Sequence, residues 1–278
     1  MKPRLQRRVQ RYGWDLAATS YEPLWRTQLA TAQQELLRHA ALGSGESVLD
    51  VACGAGAAAV LAAAAVTPPT GSVQSAGRVV GIDLSGRMID AARRRAEDSG
   101  IANVTFARMD AERLELPDAS FDVVLCALGL MYMPDPARAL REMRRVLRPR
   151  GRLVAVVWGD RSMCGWSPLF SILDGEVETE VCPLFFRLGE NDTLAELCRE
   201  ASFDVIFTRR LPTILEYADA DEACRAAFLG GPVALAWSRF DDDVRARIRG
   251  CYIEALAPWK QDGGYLVPGE FVLVKATA

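Results

Sequence analysis

Three aspartates stand at the downstream ends of three short apolar runs. Asp50 lies in Ser47-Val48-Leu49-Asp50-Val51, Asp83 follows Arg78-Val79-Val80-Gly81-Ile82, and Asp110 follows the run 104–109. A carboxylate accepts hydrogen bonds from ligand hydroxyls and amines, and when ionised it balances a cation. Beside Asp50 the turn Ala52-Cys53-Gly54-Ala55-Gly56 carries two glycines one residue apart and feeds an alanine-rich segment, 57–66. Glycine allows a ligand to approach the main chain closely, because no Cβ intervenes. A strand turning into a helix leaves unpaired N–H groups at the helix start, aimed into the turn. Gly54-Ala55-Gly56-Ala57-Ala58-Ala59 also satisfies the dinucleotide pattern G-x-G-x-x-G/A, so the turn alone does not select its ligand.

The surrounding segments must hold these groups in place. The runs at 47–51, 78–84, 104–109, 121–126 and 152–158 read as buried strands. Between them lie helical stretches. One, after Ser85 as cap, carries Met88, Ile89, Ala92 and Ala96 inward and ends at Gly100; another opens with Asp135 as N-cap and Pro136 at the first position, with a buried stripe of Leu140, Met143 and Leu147. Five alternations imply right-handed crossovers and an α/β, doubly wound, mostly parallel sheet, in which ligands bind at the C-terminal strand edge beside the switch in strand order. Further strands at 203–215 and 270–275 bring the sheet to seven.

Upstream, residues 1–20 have weak periodicity, and a helix is expected from Tyr21 to Ala40, with Pro23 in its first turn and Gly43 to Gly45 closing it. A Pro/Gly/Ser loop is expected over 67–77, an acidic run over 174–180, a helix over 192–201, and helices over 219–259 around Gly230-Gly231-Pro232. The expected organisation is a helical N-terminal cap (1–40), a ligand-binding core (41–160), and the remainder (161–278) with helical lids at 161–202 and 217–263.

Composition narrows the function. Half the residues are hydrophobic and 25% charged, enough for a sizeable core; 33 basic against 36 acidic residues leave a net charge of −3. That balance gives no general footprint for nucleic acid or an anionic membrane. The longest apolar run, 57–66, is too short to span a bilayer, and no apolar signal core follows the basic N-terminus. Seven scattered cysteines without a C-x-x-C pair point to structural thiols in a reducing cytoplasm and to no metal site. The single histidine, His39, reads as a cation near a helix C-terminus, and Arg144, Arg145 and Arg148 as complements to a helix dipole.

The ordered series Val48-Leu49-Asp50-Val51-Ala52-Cys53-Gly54-Ala55-Gly56, Gly81-Ile82-Asp83-Leu84-Ser85 with Met88, Asp110-Ala111-Glu112, Leu116-Pro117, Phe121-Asp122-Val123-Val124 and Leu140-Arg141-Glu142-Met143-Arg144-Arg145-Val146-Leu147-Arg148-Pro149 resembles the class I S-adenosylmethionine-dependent methyltransferases, in the branch related to the ubiquinone-biosynthesis enzymes. The resemblance covers roughly residues 47–160. It implies a Rossmann-like methyltransferase fold with S-adenosyl-L-methionine as cofactor and S-adenosyl-L-homocysteine as product. It further implies that Asp50 and the Cys53-Gly54-Ala55-Gly56 backbone hold the methionyl end, and that Asp83 holds the ribose hydroxyls. Leu84 and Met88 would sandwich the adenine, Asp110 and Ala111 meet its edge, and Cys126 and Ala127 line the cofactor's flank. A helix-cap role is the alternative for Asp110. The family's N-terminal segment commonly closes over the cofactor, which makes Tyr21, Tyr12 and Trp14 candidates, Tyr21 toward the cofactor. Tyr12, Trp14, Met131 and Trp166 are the candidates toward the acceptor, and Tyr132 is the one candidate base.

Departures refine the expectation. The quinone C-methylating signature is missing, with Val157-Trp158-Gly159 in place of the acid after the fifth strand, and Cys126-Ala127-Leu128-Gly129 replaces the motif of DNA amino-methylating enzymes. The aromatic and aliphatic content of residues 1–40, 161–202 and 217–263 (Trp166, Phe170, Phe185, Phe186, Phe228 and Trp237) suggests a small, largely apolar acceptor, methylated on oxygen, nitrogen or carbon as in natural-product biosynthesis. No nucleic acid or membrane partner is expected, and a homodimer is compatible. Two alternatives are a methyltransferase fold that keeps the cofactor but catalyses cyclisation or rearrangement, and an NAD-dependent oxidoreductase. For the latter, Asp83 follows Gly54 by 29 positions, beyond the roughly 20 expected for a dinucleotide acid. A non-catalytic binding protein is the third, disfavoured by the complete cofactor series.

Overall fold

The expected strands all form, although Leu84, Met109 and Phe203, expected at strand ends, lie just outside them. In the computed structural model, which describes residues 3–68, 77–176, 185–231 and 233–278, they form β1 (Ser47–Val51), β2 (Arg78–Asp83), β3 (Val104–Arg108), β4 (Phe121–Ala127), β5 (Leu147–Trp158), β6 (Asp204–Tyr217), β7 (Lys260–Gln261) and β8 (Gly264–Thr277). The order is β3-β2-β1-β4-β5-β8-β6, with the two-residue β7 paired to β8 beside this seven-stranded path. β1 to β5 are mutually parallel, β8 runs antiparallel between β5 and β6, and β7 forms a hairpin with β8. The chain runs outward from β1 to β3 and then returns to β4, so the strand order reverses between β1 and β4. The register sets Asp50 beside Gly81 on one side and Leu125 on the other, bringing the strand ends into one edge at that reversal.

Local chemistry sets the helix starts on this edge. α3 (Ala57–Ala65) begins after Gly56, whose φ is 79°. The Ser85 hydroxyl accepts the Met88 N–H at 3.1 Å at the start of α4 (Gly86–Asp98), and Asp135 accepts the Arg138 N–H at 2.9 Å ahead of α5 (Pro136–Val146). Leu147, expected in the helical stripe, instead opens β5 opposite Phe121, so β5 starts five residues before the expected 152. Arg145 does more than face a dipole: it binds Glu142, Asp118 and the Leu114 and Leu116 carbonyls.

The N-terminus differs most from the sequence reading. The weakly periodic residues 1–20 are helical from residue 3, in α1 (Pro3–Trp25), and the helix expected over 21–40 is divided by a turn before α2 (Ala30–Ala40). Pro23 lies in the last turn of α1, not the first turn of a new helix; its ring removes a backbone donor, and the helix ends two residues on. Beyond β5 come α6 (Pro168–Asp174), α7 (Thr193–Glu200), α8 (Ala220–Leu229), α9 (Ala234–Trp237) and α10 (Asp242–Leu256). α1 lies against α4, α8 and α9, and α10 packs on α6 and α8. Most of the loop expected at 67–77, the end of the acidic run after 176, Cys182 and Pro232 lie outside the described residues.

Candidate active site

The floor of the site is the turn after β1. Ala52 and Gly54 adopt positive φ, 56° and 53°, which bends the chain sharply across the end of β2. The Gly54 N–H donates to Asp83 Oδ2 at 3.0 Å, and the Ser85 N–H donates to Asp83 Oδ1 at 2.8 Å. A carboxylate has about four acceptor positions, so each oxygen keeps one lone pair for a ligand, a match to two neighbouring hydroxyls. Burial raises the Asp83 pKa to about 6, against the opposing pull of those two amides. Asp50 is more extreme. It is 1% exposed, neither carboxylate oxygen has a hydrogen-bond partner, and burial with the like charge of Asp83 raises its pKa to about 8 against a small contribution from the Ala59 amide.

Three hollows meet above this floor. One, of about 770 Å³, is lined by Asp83, Leu84, Met88, Asp110, Ala111, Ala127 and Trp14 among others. A second, of about 530 Å³, runs along Asp50, Cys53, Gly54, Ala55 and Ala58 to Glu22 and Arg95. The third, of about 460 Å³, is walled by Trp14, Tyr21, Trp25, Tyr132, Trp158, Trp166, Phe170 and Phe185, with no charged side chain among the described residues of its lining. Tyr21 borders all three; burial and the nearby Asp83 and Asp50 raise its pKa, which keeps it a neutral phenol. α1 roofs them. Arg7 bridges Asp110 at 3.3 Å and Glu112 at 2.6 Å, the Ser85 hydroxyl donates to Asp15 at 2.6 Å, and Glu22 pairs with Arg95.

Comparison with known proteins decides the family. Residues 42–166 match the model of a methyltransferase domain. A demethylmenaquinone methyltransferase of Geobacillus kaustophilus is 30% identical over 185 residues, covering 62% of this chain and 76% of the relative. The chain belongs to the class I S-adenosylmethionine-dependent methyltransferase family. A demethylmenaquinone methyltransferase of Listeria welshimeri is 32% identical over 139 residues, and the match spans half of this chain and 56% of that relative's length. The solved structure of the [4+2]-cyclase SpnF shares the fold, with a TM-score of 0.56, 21% identity, and coverage of 88% of this chain and 78% of that one.

The residues present fit the cofactor of that family. S-adenosylmethionine carries a ribose diol, an adenine and a cationic methionyl ammonium, and the buried, unpartnered Asp50 carboxylate and the two remaining lone pairs of Asp83 match that donor set. Leu84, Met88, Asp110 and Ala111 line the hollow beside Asp83, whereas Cys53, Gly54 and Ala55 line the one beside Asp50. The Gly54 amide is already engaged by Asp83, so the N–H groups of Ala57 and Ala58, which line that hollow at the start of α3, are the candidate donors there.

Other sequence candidates lie elsewhere. Gly56 faces away from the cleft: a Cβ there would meet Ala92 at 2.9 Å, so this glycine allows α3 and α4 to pack closely. Cys126 and Met131 are fully buried and border none of the three hollows. Tyr12 is 46% exposed on the outer side of α1, under Arg11. Asp110 caps no helix; it accepts the Glu112 N–H at 2.9 Å and pairs with Arg7. His39 stacks edge-on against Phe207, and burial together with Arg38 lowers its pKa below the ordinary value, so it is neutral rather than the expected cation. Arg7, Gln10, Glu112, Trp25, Leu128 and Trp158 border the hollows and escaped the sequence reading. For Glu112, the Asp110-Ala111-Glu112 triplet was the signal available.

Proposed function

We propose that the chain transfers the methyl group of S-adenosylmethionine to a small, uncharged and largely apolar acceptor held in the aromatic hollow. The observation that carries this reading is Asp50, buried with no partner for either oxygen beside an Asp83 with two lone pairs to spare. Asp50 would balance the methionyl ammonium, and Asp83 would accept from both ribose hydroxyls. Leu84 and Met88 would enclose the adenine. When bound, the cofactor supplies a methyl group already activated on a sulfonium, and the faces of Trp14, Tyr21 and Tyr132 favour positive charge near the junction of the hollows. The protein's contribution is then orientation in a dry pocket, worth on the order of 7–11 kcal/mol for well-aligned reactions.

Among the described residues the hollow's lining has no carboxylate and no histidine; the hydroxyls there are those of Tyr21 and Tyr132. Tyr132 lies between Trp14 and Phe185, with ring centroids at 5.1 and 5.5 Å, and it lines both the acceptor and adenosyl sides. It is the proposed base, suited to acceptors that ionise readily, such as acidic phenols and enols. α1, α6, α8 and the turn at Gly230-Gly231 form the acceptor's lid in this reading. Six described cysteines, all unpaired, support a reducing, cytoplasmic setting. Among the described residues no helix is long and apolar enough to cross a membrane.

A lack of strong bases equally suits a reaction without proton transfer, such as a cyclisation, and that is the second reading. Incubation with methyl-labelled cofactor and a panel of phenols, naphthols, amines and polyketide-like acids separates the two. Label in an extractable product heavier by one methylene unit supports methyl transfer; cofactor that binds but keeps its label while an acceptor is rearranged overturns it.

A further inference from the structure

α1 is amphipathic in the opposite sense to a helix that serves only its own core. It buries Gln6, Gln10, Gly13 and Ala17, while Leu5, Tyr12 and Leu16 are 41, 46 and 45% exposed. At 3.6 residues per turn, positions 5, 12 and 16 fall on one outward stripe, with Val9 between them. Arg4, Arg8 and Arg11 run along one border of that stripe. Together with Arg7, and with Arg108 from the end of β3, they line a single open hollow that also includes Leu5 and Leu84. Arg7 is engaged by Asp110 and Glu112, and Arg11 stands 4.5 Å over the Tyr12 ring. Among the described residues no carboxylate pairs with Arg4, Arg8 or Arg108.

We propose that this face of α1 docks on an anionic lipid bilayer, with Leu5, Tyr12 and Leu16 entering the acyl boundary and the bordering arginines meeting lipid phosphates. An exposed apolar stripe flanked by arginine on a single helix is the pattern of interfacial binding, and clustered arginines complement the negative surface potential of such a membrane. A nucleic acid would use the arginines but leaves Leu5 and Leu16 unexplained, since single strands are gripped by stacking on aromatic rings. A symmetric contact between two copies would bring the same arginine border near itself. The net charge of −3, which set the expectation of no membrane partner, averages over this patch. Leu84 and Arg7 border both this hollow and the cleft beside Asp83, so docking would bring the mouth of the cleft to the bilayer surface. The proposal does not depend on which reaction the site performs.

The test is co-sedimentation of the full chain with vesicles of phosphatidylcholine alone and of phosphatidylcholine mixed with phosphatidylglycerol. The expected result is partition onto the anionic vesicles only, weakening as salt is added. Leu5→Ser with Leu16→Ser should reduce partition by about tenfold or more, and Arg4→Gln with Arg8→Gln and Arg11→Gln by on the order of a hundredfold. Both variants should keep the wild-type melting temperature and affinity for S-adenosylhomocysteine. Should either misfold, slowed amide exchange over residues 4–16 of the wild type on anionic vesicles gives the same answer. Absence of partition, or partition unaffected by the leucine changes, overturns the proposal. So does capture of a single-stranded oligonucleotide without vesicle binding, or a dimer in sedimentation velocity that the leucine changes abolish.

Discussion

The side of the cleft around Asp50 and Asp83, proposed for the adenosyl group, and the aromatic side, proposed for the acceptor, are built on opposite principles, although Tyr21 touches both. The first is polar and local: Asp50, Gly54 and Asp83 come from two adjacent strand ends, with Asp83 held by backbone amides. The acceptor side is apolar and assembled from afar, with rings from α1, β5, α6 and the segment at Phe185 in mutual edge and tilted contact. One side holds a buried carboxyl group with no hydrogen-bond partner and a raised pKa, whereas the other is ordinary core packing opened into a cavity. Removing a group should therefore affect binding on the first side and stability on the second.

The largest effect belongs to the aromatic side. Trp166 is 4% exposed and meets Trp158 at 4.8 Å and Phe185 at 5.4 Å, so Trp166→Ala should destabilise the fold by roughly 3–5 kcal/mol. Chemical denaturation measures this, and cofactor affinity in the surviving folded protein should stay within about threefold of wild type, since a difference of that size is under 1 kcal/mol. A loss of cofactor affinity as large as the loss of stability would erase the distinction between the two sides.

Asp50→Asn should do the reverse, weakening S-adenosylmethionine by on the order of a hundredfold through loss of a buried charge pairing. The same residue sets a pH dependence. Its folded pKa of about 8 lies above the ordinary 3.8, so the native ligand-free protein holds the proton that the unfolded chain releases. Its favourable contribution is complete below about pH 4 and is lost as pH rises toward 8, with a slope of at most about 1.4 kcal/mol per pH unit for one proton. Thermal melts of the ligand-free wild type should fall across that range, and those of Asp50→Asn should fall less. Equal slopes in both proteins would mean that Asp50 is not the strained group.

The smallest change is Ala52→Gly. Ala52 holds a left-handed φ of 56°, which costs a residue with a Cβ roughly 1 kcal/mol. Glycine should raise stability by about that amount and leave the acceptor side untouched; a decrease would show that the Ala52 methyl contact with the Gly129 segment outweighs the strain.

The same contrast explains what the sequence revealed. Asp50, the glycine turn, Asp83 and the caps Ser85 and Asp135 were legible because each acts on neighbours a few positions away. Cys126 was not correctly oriented, because an all-apolar strand end does not reveal which alternate residue faces the cleft, and Met131 lies beyond the strand in a short 3-10 turn, Leu130–Tyr132, whose inward residue the sequence does not mark. α1 was obscured by the inverted pattern of its first turns, with Gln6 and Gln10 inside and Leu5 and Leu16 outside. β7 escaped although Asp262-Gly263, the two residues between its pairs with β8, is a strong hairpin signal. The aromatic hollow was legible only in part: Trp14, Tyr21, Tyr132 and Trp166 were candidates and do line it, but Trp25 and Trp158 are 133 positions apart in sequence yet share one wall, and nothing in local spacing encodes such a meeting.

Isothermal titration of S-adenosylhomocysteine into the wild type and into Asp83→Ala tests the cofactor site most directly. The account predicts one ligand bound per chain and an affinity lower by about tenfold or more in the variant, as expected when a carboxylate that accepts two ligand hydroxyls is removed. Absence of binding in the wild type, or equal affinity in both proteins, would contradict it.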